Sequence, residues 1–397
     1  MTRKISPEAT LPAPLPGTIA GPPGFPDVVL VEEGMREGLQ IEDAGVPVKD
    51  KIRLLDSLSA TGLRRIVVGS FVSPKWTPQM AGIDEIVEGF TPAPGVTYTA
   101  LALNARGVER RAAYIPHKLS LEDQRPATLV HLCDVFARRN TNRSQQQEID
   151  TWPGIVERAV ADGVTEAQIG VNAAWGSNWL GPFRHEQRME LLERQYAMWT
   201  DHGIAVTKVF LGDPMGWNLP HHVEADLRAI QERWPSVSTF HLHLHNTRGM
   251  APISAYSALR TVGEHCTVIL DASIGGMAGC PYCGNGRAAA LTPTEDLVHL
   301  LDGLGFDTGV DLDKLIETVV LAEEILGHRL YGHVSKAGGC PQGAALYPMD
   351  LPFIETLEQA QHFRLGPASY EGAMSPWKVP ITSPFRKGPI TPRKDKA

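Results

Sequence analysis

The stretch TFHLHLHNTRGMAPISAYSALRTVGEHCTVILDAS, residues 239–273, contains the pattern that decides the fold. TFHLHLHN alternates apolar and polar residues with the period of a β-strand, TRGMAPISAYSAL reads as a helix, and CTVILDAS is a second short apolar run. A strand, a helix and another strand in succession form the unit from which parallel sheets are built. The alternation also predicts that three histidines share one face of the first strand: His241, His243 and His245.

The same alternation of short β-rich runs and longer amphipathic stretches extends over the chain from Asp27 onward. The candidate strands are 27–34, 64–71, 96–103, 127–134, 166–173, 205–213, 239–246 and 266–273. Eight is the number of strands that closes a TIM barrel, although an open doubly wound sheet gives the same local signals. We therefore expect an α/β fold, a TIM (β/α)8 barrel.

Two helical patterns follow the eighth strand and set the expected domain limits. TPTEDLVHLLDGLG predicts a helix that Thr292 or Thr294 caps, and DLDKLIETVVLAEEILG adds a helix beyond the barrel count. Four segments are expected: a flexible N-terminal arm (1–26), a TIM-barrel catalytic domain (27–305), a helical extension (306–370) and a Pro-rich basic tail (371–397).

Composition excludes several classes of protein. The chain has 397 residues with 43% hydrophobic and 21% charged residues, and its apolar runs are shorter than the roughly 18 residues of a membrane span. A formal net charge of −8 argues against nucleic-acid binding, which needs concentrated Lys and Arg. Five cysteines, an odd number, do not make a disulfide framework. We expect a cytoplasmic protein without nucleic-acid or membrane partners.

Residues at the carboxyl ends of the strands are the candidates for chemistry, because barrel active sites form there. Strand one ends in EEGMREGLQ, strand seven in HLHN, and strand eight leads into SIGGMAGCPYCGNGR. Carboxylate, imidazole and amide groups from these ends suit a divalent cation such as Mg²⁺, Mn²⁺ or Zn²⁺. His243 and His245 lie nearer the rim than His241, which is expected to pack or to orient a ligand one layer deeper.

A series of motifs resembles the 3-hydroxy-3-methylglutaryl-CoA lyase family, in a metal-dependent barrel group that also contains isopropylmalate, citramalate and homocitrate synthases. The matching segments, spread over about 30–305, are VEEGMREGLQ, GLRRIVVGSFVSPKWTPQM, FARRNTN, FLGDPMG, HLHNTRG and GGMAGCPY. SFVSPKW with PQM is specific to the lyase branch, whereas HxH alone would be weak evidence.

The resemblance implies a role for each of several residues. A divalent cation, Mg²⁺ or Mn²⁺ with Zn²⁺ as the alternative, would be held by four ligands: Glu37, His243, His245 and the amide of Asn285. Arg36 would stabilise the enolate oxygen of the departing thioester, and Cys280 would contribute to proton transfer. Gln40 is expected to bind substrate. Asp213, at the rim after strand six, is a catalytic candidate that could equally cap its own loop.

The implied activity is metal-dependent carbon–carbon cleavage of a 3-hydroxy-3-substituted acyl-CoA by retro-Claisen chemistry, giving acetyl-CoA and a keto acid. The implied partners are a small acyl-CoA or hydroxy-acid substrate and further copies of the chain in a homodimer or higher homo-oligomer. Two alternatives remain among enzymes, namely a Claisen synthase and an aldolase. Outside enzymes, a catalytically silent barrel could bind a metabolite in the same pocket.

The sequence departs from the family pattern at four places. Glu37 stands where an aspartate is usual, and Val67 where the strand-two glutamate of the lyases falls, which predicts a changed substrate. The loop between Cys280 and Glu295 is longer than usual, so the amide ligand is harder to assign. Cys283 creates CPYC, which matches the thiol pair of glutaredoxin-like proteins. Such a pair begins a helix in a small fold, so we interpret Cys283 as a passive loop thiol.

Overall fold

The structure, a computed structural model, describes residues 14–102, 104–121, 125–279, 283 and 290–346. All eight candidate strands are present in one curled sheet, as the predicted TIM-barrel class requires. They are β1 (Asp27–Glu32), β2 (Arg65–Ser70), β3 (Thr97–Leu101), β4 (Ala127–His131), β5 (Glu166–Asn172), β6 (Ala205–Asp213), β7 (Thr239–Leu244) and β8 (Thr267–Ala272).

Neighbouring strands follow chain order and pair in parallel, with β8 lying between β7 and β1. Leu242 of β7 is in register with Leu270 of β8, which is in register with Leu30 of β1. Within the described ranges, the hydrogen-bonded path ends at β3 on one side and at β4 on the other. The carboxyl ends of β1 and β7 are therefore separated by a single strand, so side chains from both can meet.

Helices cover the outer face of the sheet. They are α1 (Val48–Ser59), α2 (Ile83–Gly89), α3 (Ala105–Ala112), α4 (Asp134–Thr141), α5 (Gln145–Ile149), α6 (Trp152–Ala161), α7 (His185–Thr200), α8 (Pro220–Arg233), α9 (Ala251–Thr261), α10 (Thr294–Gly303), α11 (Leu312–Leu326) and α12 (Val334–Ala337). Among the described helices, none has the length and apolar character needed to cross a membrane.

The predicted cap of α10 is wrong. The residue before the helix is Pro293, and no side chain caps it. The Thr294 hydroxyl instead donates to Oε2 of Glu32, and the Thr292 hydroxyl donates to the Leu244 carbonyl at 3.0 Å. Both hydroxyls are used in buried contacts with the ends of β1 and β7, which local capping rules do not anticipate.

Residues at both predicted barrel limits pack on the barrel itself. The helix α11, placed by sequence in the extension, is capped by Asp311 and packs against α1, where Thr318 and Ser57 share a hydrogen bond of 2.7 Å. In the predicted arm, Thr18–Ile19 forms a short antiparallel strand on β1. The described residues up to Gly338 belong to one compact unit.

Alternation along the strands separates an apolar outer face from a polar interior. In β7 the residues Phe240, Leu242 and Leu244 are fully buried in the main core. His241 and His243 point the opposite way and line a cavity of about 460 Å³ inside the barrel. The histidine repeat is therefore part of the barrel lining, which is where barrel enzymes place chemistry at the upper end.

Candidate active site

The chain leaves β1 through a single π-helical turn, Gly34–Gly38, that carries Arg36 and Glu37. The Gly34 N–H donates to Oε1 of Glu32 at 2.7 Å, and a Cβ on Gly34 would lie 2.5 Å from that oxygen. A side chain at position 34 would push the turn away, so glycine is needed for this close approach. π-Helical turns are rare in proteins, but those that occur often lie at functional sites. This turn directs the side chains of Arg36 and Glu37 into the cavity.

Three side chains from the ends of β1 and β7 converge at the upper end of the cavity. Oε1 of Glu37 lies 2.9 Å from Nε2 of His245 and 3.3 Å from Nε2 of His243. The two Nε2 atoms are 3.2 Å apart, and all three residues are buried. The structure thus brings together three of the four metal ligands that the sequence predicts.

Asp271, on the inward face of β8, holds the two deeper histidines and was missed by the sequence reasoning. His243 donates from Nδ1 to Oδ2 of Asp271 at 2.8 Å, and His241 donates from Nε2 to Oδ1 at 2.9 Å. A carboxylate that accepts from Nδ1 fixes the tautomer whose Nε2 carries a lone pair, as second-shell carboxylates do for metal-bound histidines. The signal was available, since Asp271 interrupts an apolar strand at an inward position.

Electrostatics hold the group together. Burial by itself would raise the pKa of Glu37, but the His243 imidazole and the Arg36 guanidinium outweigh it and keep the pKa well below its ordinary value. For His243, burial would lower the pKa, yet the Glu37 charge and the hydrogen bond to Asp271 raise it well above the ordinary value. These surroundings keep the Glu37 carboxylate ionised. They also favour a positive charge at the point between the Glu37 carboxylate and the His243 and His245 imidazoles.

The donor set fits a divalent cation. Two imidazole nitrogens and one carboxylate oxygen present their lone pairs to a common point, and Asp271 prevents His243 from turning its N–H towards that point. Mixed nitrogen and oxygen ligands suit Mg²⁺, Mn²⁺ and Zn²⁺, whereas thiolate-rich sets select structural zinc. Glu37, His243 and His245 are thus residues that could hold such an ion.

Arg36 is fixed between two carboxylates. Its Nε donates to Oε2 of Glu33 at 2.7 Å, and Nη1 lies 2.9 Å from Oε2 of Glu37. Burial raises the pKa of Glu33 to about 7 against the opposing charge of Arg36. Arg36 also lines the cavity, so its remaining N–H groups form a preorganised set of donors at the upper end of the site.

The other predicted site residues take different positions. Gln40, in the short helical turn after the π-helical turn, lines the cavity. Asp213 is fully buried and accepts three hydrogen bonds from its own loop, from Trp217 N and from Asn218 N and Nδ2. Asn218 also donates to the His245 carbonyl at 2.9 Å. Asp213 therefore caps the loop that supports His245 and is absent from the described cavity lining.

Two predicted residues, Cys280 and Asn285, lie outside the described residues. Their neighbour Cys283 is buried, and its thiol donates to the Pro214 carbonyl at 3.1 Å. Val67 lines the cavity and packs with Val29, Val31 and Ile269, so its side chain faces the barrel interior.

A curled sheet of eight parallel strands, with two histidines, a carboxylate and an arginine at one end of its cavity, defines a barrel enzyme with a site suited to a divalent cation. Residues 27–321 match the family model described as HMGL-like. The mitochondrial hydroxymethylglutaryl-CoA lyase of Gallus gallus is 33% identical over 314 residues, covering 79% of this chain and 98% of the relative.

A bacterial relative and a solved structure agree. The 3-hydroxy-3-isohexenylglutaryl-CoA/hydroxymethylglutaryl-CoA lyase of Pseudomonas aeruginosa is 32% identical, covering 80% of this chain and 97% of the relative. The structure of an HMG-CoA lyase from Acinetobacter baumannii, in complex with coenzyme A and 3-methylmalate, has a TM-score of 0.63 at 29% identity. The structural match covers 81% of this chain and 97% of the Acinetobacter baumannii chain. The chain belongs to the HMGL-like family and is an enzyme of the carbon–carbon lyase class.

Proposed function

We propose that this lyase cleaves a 3-hydroxy-3-substituted acyl-CoA, of which 3-hydroxy-3-methylglutaryl-CoA is the parent, into acetyl-CoA and a keto acid. The observation that carries the proposal is the shared carboxylate of Glu37. One oxygen meets His243 and His245, and the other meets Arg36, so a cation site and an oxyanion site lie side by side. Bond cleavage next to a tertiary alcohol needs both, because a proton leaves the hydroxyl while an enolate forms on the thioester.

The side chains divide the work. Glu37, His243 and His245 would hold a divalent ion, with Asn285 as the predicted fourth ligand, and the ion when bound lowers the pKa of the substrate hydroxyl. Arg36 presents its remaining N–H groups where negative charge develops on the enolate oxygen. Asp271 keeps His243 in its tautomer, and Asp213 steadies the loop behind His245. Gln40 contacts substrate, and Cys280 is proposed to move a proton.

The ion is proposed to be Mg²⁺ or Mn²⁺, with Zn²⁺ as the alternative that nitrogen ligands also accept. A cytoplasmic location and a homodimer or higher homo-oligomer are proposed from the sequence alone. Size-exclusion chromatography with light scattering measures the oligomeric state, and a monomeric mass at working concentration would contradict the proposed homo-oligomer.

The direction of the reaction separates the lyase from its two enzymatic alternatives. Metal-reconstituted protein should release acetyl-CoA from hydroxyacyl-CoA thioesters in a coupled assay, and prior chelation should abolish the signal. Condensation of acetyl-CoA with a 2-oxo acid would instead make the protein a synthase. Cleavage of a free hydroxy-oxo acid without coenzyme A would make it an aldolase.

Val67 predicts a substrate other than the parent compound. A glutamate at this position would place a charge in the cavity, whereas Val67 extends an apolar wall made with Val29, Val31 and Ile269. The protein should therefore be poor with 3-hydroxy-3-methylglutaryl-CoA and better with a thioester carrying a different 3-substituent. A specificity constant for the parent compound of about 10⁴ M⁻¹s⁻¹ or above, the ordinary enzyme range, would refute the changed substrate.

A further inference from the structure

A buried histidine that the proposed mechanism does not use ends strand β4. Ala127 and Leu129 of β4 line the cavity, so the alternation along the strand puts His131 on the same inward face. His131 is in register with Asn172, the last residue of β5. Both residues therefore lie at the carboxyl ends of their strands, where barrel enzymes hold their substrates.

Glu148 of α5 fixes the His131 side chain. Its Oε1 accepts hydrogen bonds from Nδ1 of His131 at 2.8 Å and from the Thr141 hydroxyl at 3.0 Å. Its Oε2 accepts from the His131 backbone N–H at 3.0 Å. Burial would raise the pKa of Glu148, but the hydrogen bonds from His131 outweigh burial and keep the pKa below its ordinary value. The ionised carboxylate keeps the imidazole proton on Nδ1, so Nε2 of His131 carries a lone pair.

Two asparagine amides converge on that lone pair. Nδ2 of Asn140, in the segment FARRNTN, and Nδ2 of Asn172 each lie 3.3 Å from Nε2 of His131. Turning the Asn172 amide over would break a second contact, because its Oδ1 accepts from the Ala173 N–H at 2.9 Å. Both asparagine side chains line the cavity, and each amide nitrogen has a second N–H. We call Asn140 and Asn172 the amide pair.

Register places Asn172 at the height of the catalytic groups. Val171 is in register with Leu211, and the next residue of β6, Gly212, is in register with His243. A Cβ on Gly212 would lie 2.4 Å from Oδ1 of Asn172, so glycine leaves the space that this amide occupies. Two strand spacings of about 4.8 Å separate Asn172 from His243 along the wall, and both side chains point into the cavity. An acyl group held at the cation site can therefore reach the amide.

We propose that His131, held by Glu148, is a positioning residue that fixes the amide pair as hydrogen-bond donors to an oxygen of the substrate acyl group. Arg36 faces the thioester in the proposed function, so the amide pair is assigned to the half that leaves as the keto acid. Donors that are already fixed lose less conformational freedom on binding than free side chains do. This inference rests on the proposed function, because it assigns a substrate contact to the same site.

The substitution Glu148→Gln tests the positioning role and leaves the amide pair itself intact. The His131 backbone N–H needs an acceptor, so the glutamine oxygen takes the place of Oε2 and the glutamine NH₂ group faces Nδ1. The imidazole then carries its proton on Nε2 and can no longer accept from the amides. KM for the best thioester should rise about 3- to 10-fold, as for the loss of a hydrogen bond, with kcat nearly unchanged.

The matched control for this substitution is Glu157→Gln, at an exposed position of α6, which should leave KM unchanged. An unchanged KM in Glu148→Gln, or a fall of kcat alone, would overturn the proposal.

Two substitutions of His131 separate positioning from packing. His131→Gln can place its Oε1 near the position of Nε2 and still accept from the amides, whereas His131→Leu fills the space without an acceptor. Both variants lose the side-chain hydrogen bond to Glu148, so their melting temperatures should fall by similar amounts. KM should nevertheless rise more in His131→Leu than in His131→Gln. Equal KM values in the two variants would assign His131 a structural role only and overturn the proposal.

A double-mutant cycle shows whether Glu148 acts through the amide pair. In a chain that carries Asn140→Ala and Asn172→Ala, the further change Glu148→Gln should leave KM as it is, because the groups that Glu148 positions through His131 are gone. The same fold-rise of KM in both backgrounds would show that Glu148 acts by another route, against the proposal.

A binding measurement distinguishes failure of this inference from failure of the proposed function. Metal-reconstituted protein is titrated by calorimetry with 3-hydroxy-3-methylglutarate, the free acid of the parent acyl group, and separately with coenzyme A. The Kd of the acid should rise about 3- to 10-fold in Glu148→Gln, while the Kd of coenzyme A stays the same. No binding of the acid to the unmodified chain, or an equal Kd in the variant, would refute the amide contact. The expected rise together with no acetyl-CoA release from any thioester would refute the proposed function while the positioning role stands.

Discussion

Replacing Arg36 with lysine tests the proposed oxyanion role most directly. The guanidinium is held by Glu33 at Nε and by Glu37 at Nη1, at 2.7 and 2.9 Å, and its remaining donors face the cavity. A lysine keeps the charge but has a single nitrogen on a flexible chain, so it cannot bind both carboxylates and still present a fixed donor to an enolate. The variant Arg36→Lys should therefore fold and carry the ion, yet turn over slowly.

The expected magnitudes follow from these contacts. Loss of one preorganised oxyanion donor lowers kcat by about 10²- to 10³-fold, or about 2.7–4 kcal/mol of transition-state stabilisation. Metal binding should persist, because Glu37 meets the histidines through Oε1 and Arg36 through Oε2. The stability cost should be small, since Glu33 already has a pKa raised to about 7 by burial and takes up a proton when the guanidinium is lost.

Three measurements decide the outcome: kcat on the best thioester, metal content by mass spectrometry, and melting temperature. Arg53→Lys, at an exposed position, is the matched control and should match the unmodified protein in all three. Turnover of Arg36→Lys within about threefold of the unmodified enzyme at saturating substrate would remove Arg36 from the mechanism. Loss of the ion together with activity would show instead that Arg36 serves to build the cation site.

Three further predictions concern the cation site and a buried acid. The triple variant Glu37→Ala, His243→Ala, His245→Ala should lose stoichiometric metal by elemental analysis; retention would place the site elsewhere. Asp271→Asn should weaken metal affinity about 10- to 100-fold in a competition titration, because an amide offers one acceptor to two imidazole donors, and an unchanged affinity would contradict the positioning role. Burial raises the pKa of Glu295 to about 7, so the folded state holds a proton there that the unfolded state releases near pH 4.5, and stability falls as pH rises between these values. In urea unfolding, the free energy of unfolding of Glu295→Gln should rise relative to that of the unmodified protein by up to about 1.4 kcal/mol per pH unit from pH 5 to 7. A difference between the two proteins that stays constant over this pH range would refute the raised pKa.

Local sequence rules identified the strands and the ends where chemistry occurs. The period-two alternation of TFHLHLHN depends only on strand geometry, so the shared face of His241 and His243 was determined before any tertiary contact was known. The same reasoning placed Glu37 and His245 at the rim, because parallel strands of a barrel present their carboxyl ends on one side. Their convergence was predicted for this reason, and their atoms do lie 2.9 Å apart.

What only the tertiary structure decided depends on partners far apart in the chain. The hydroxyl of Thr294 looks like a helix cap locally, but it binds Glu32, which is 262 positions away. Asp271 holds His243 only because β8 lies beside β7 in one register, and a slip of one residue would turn it outward. Arg65 and Lys208 are ordinary strand charges in the sequence. The curl of the sheet places both beside one cavity, since inward direction and depth are fixed by strand register and not by local composition.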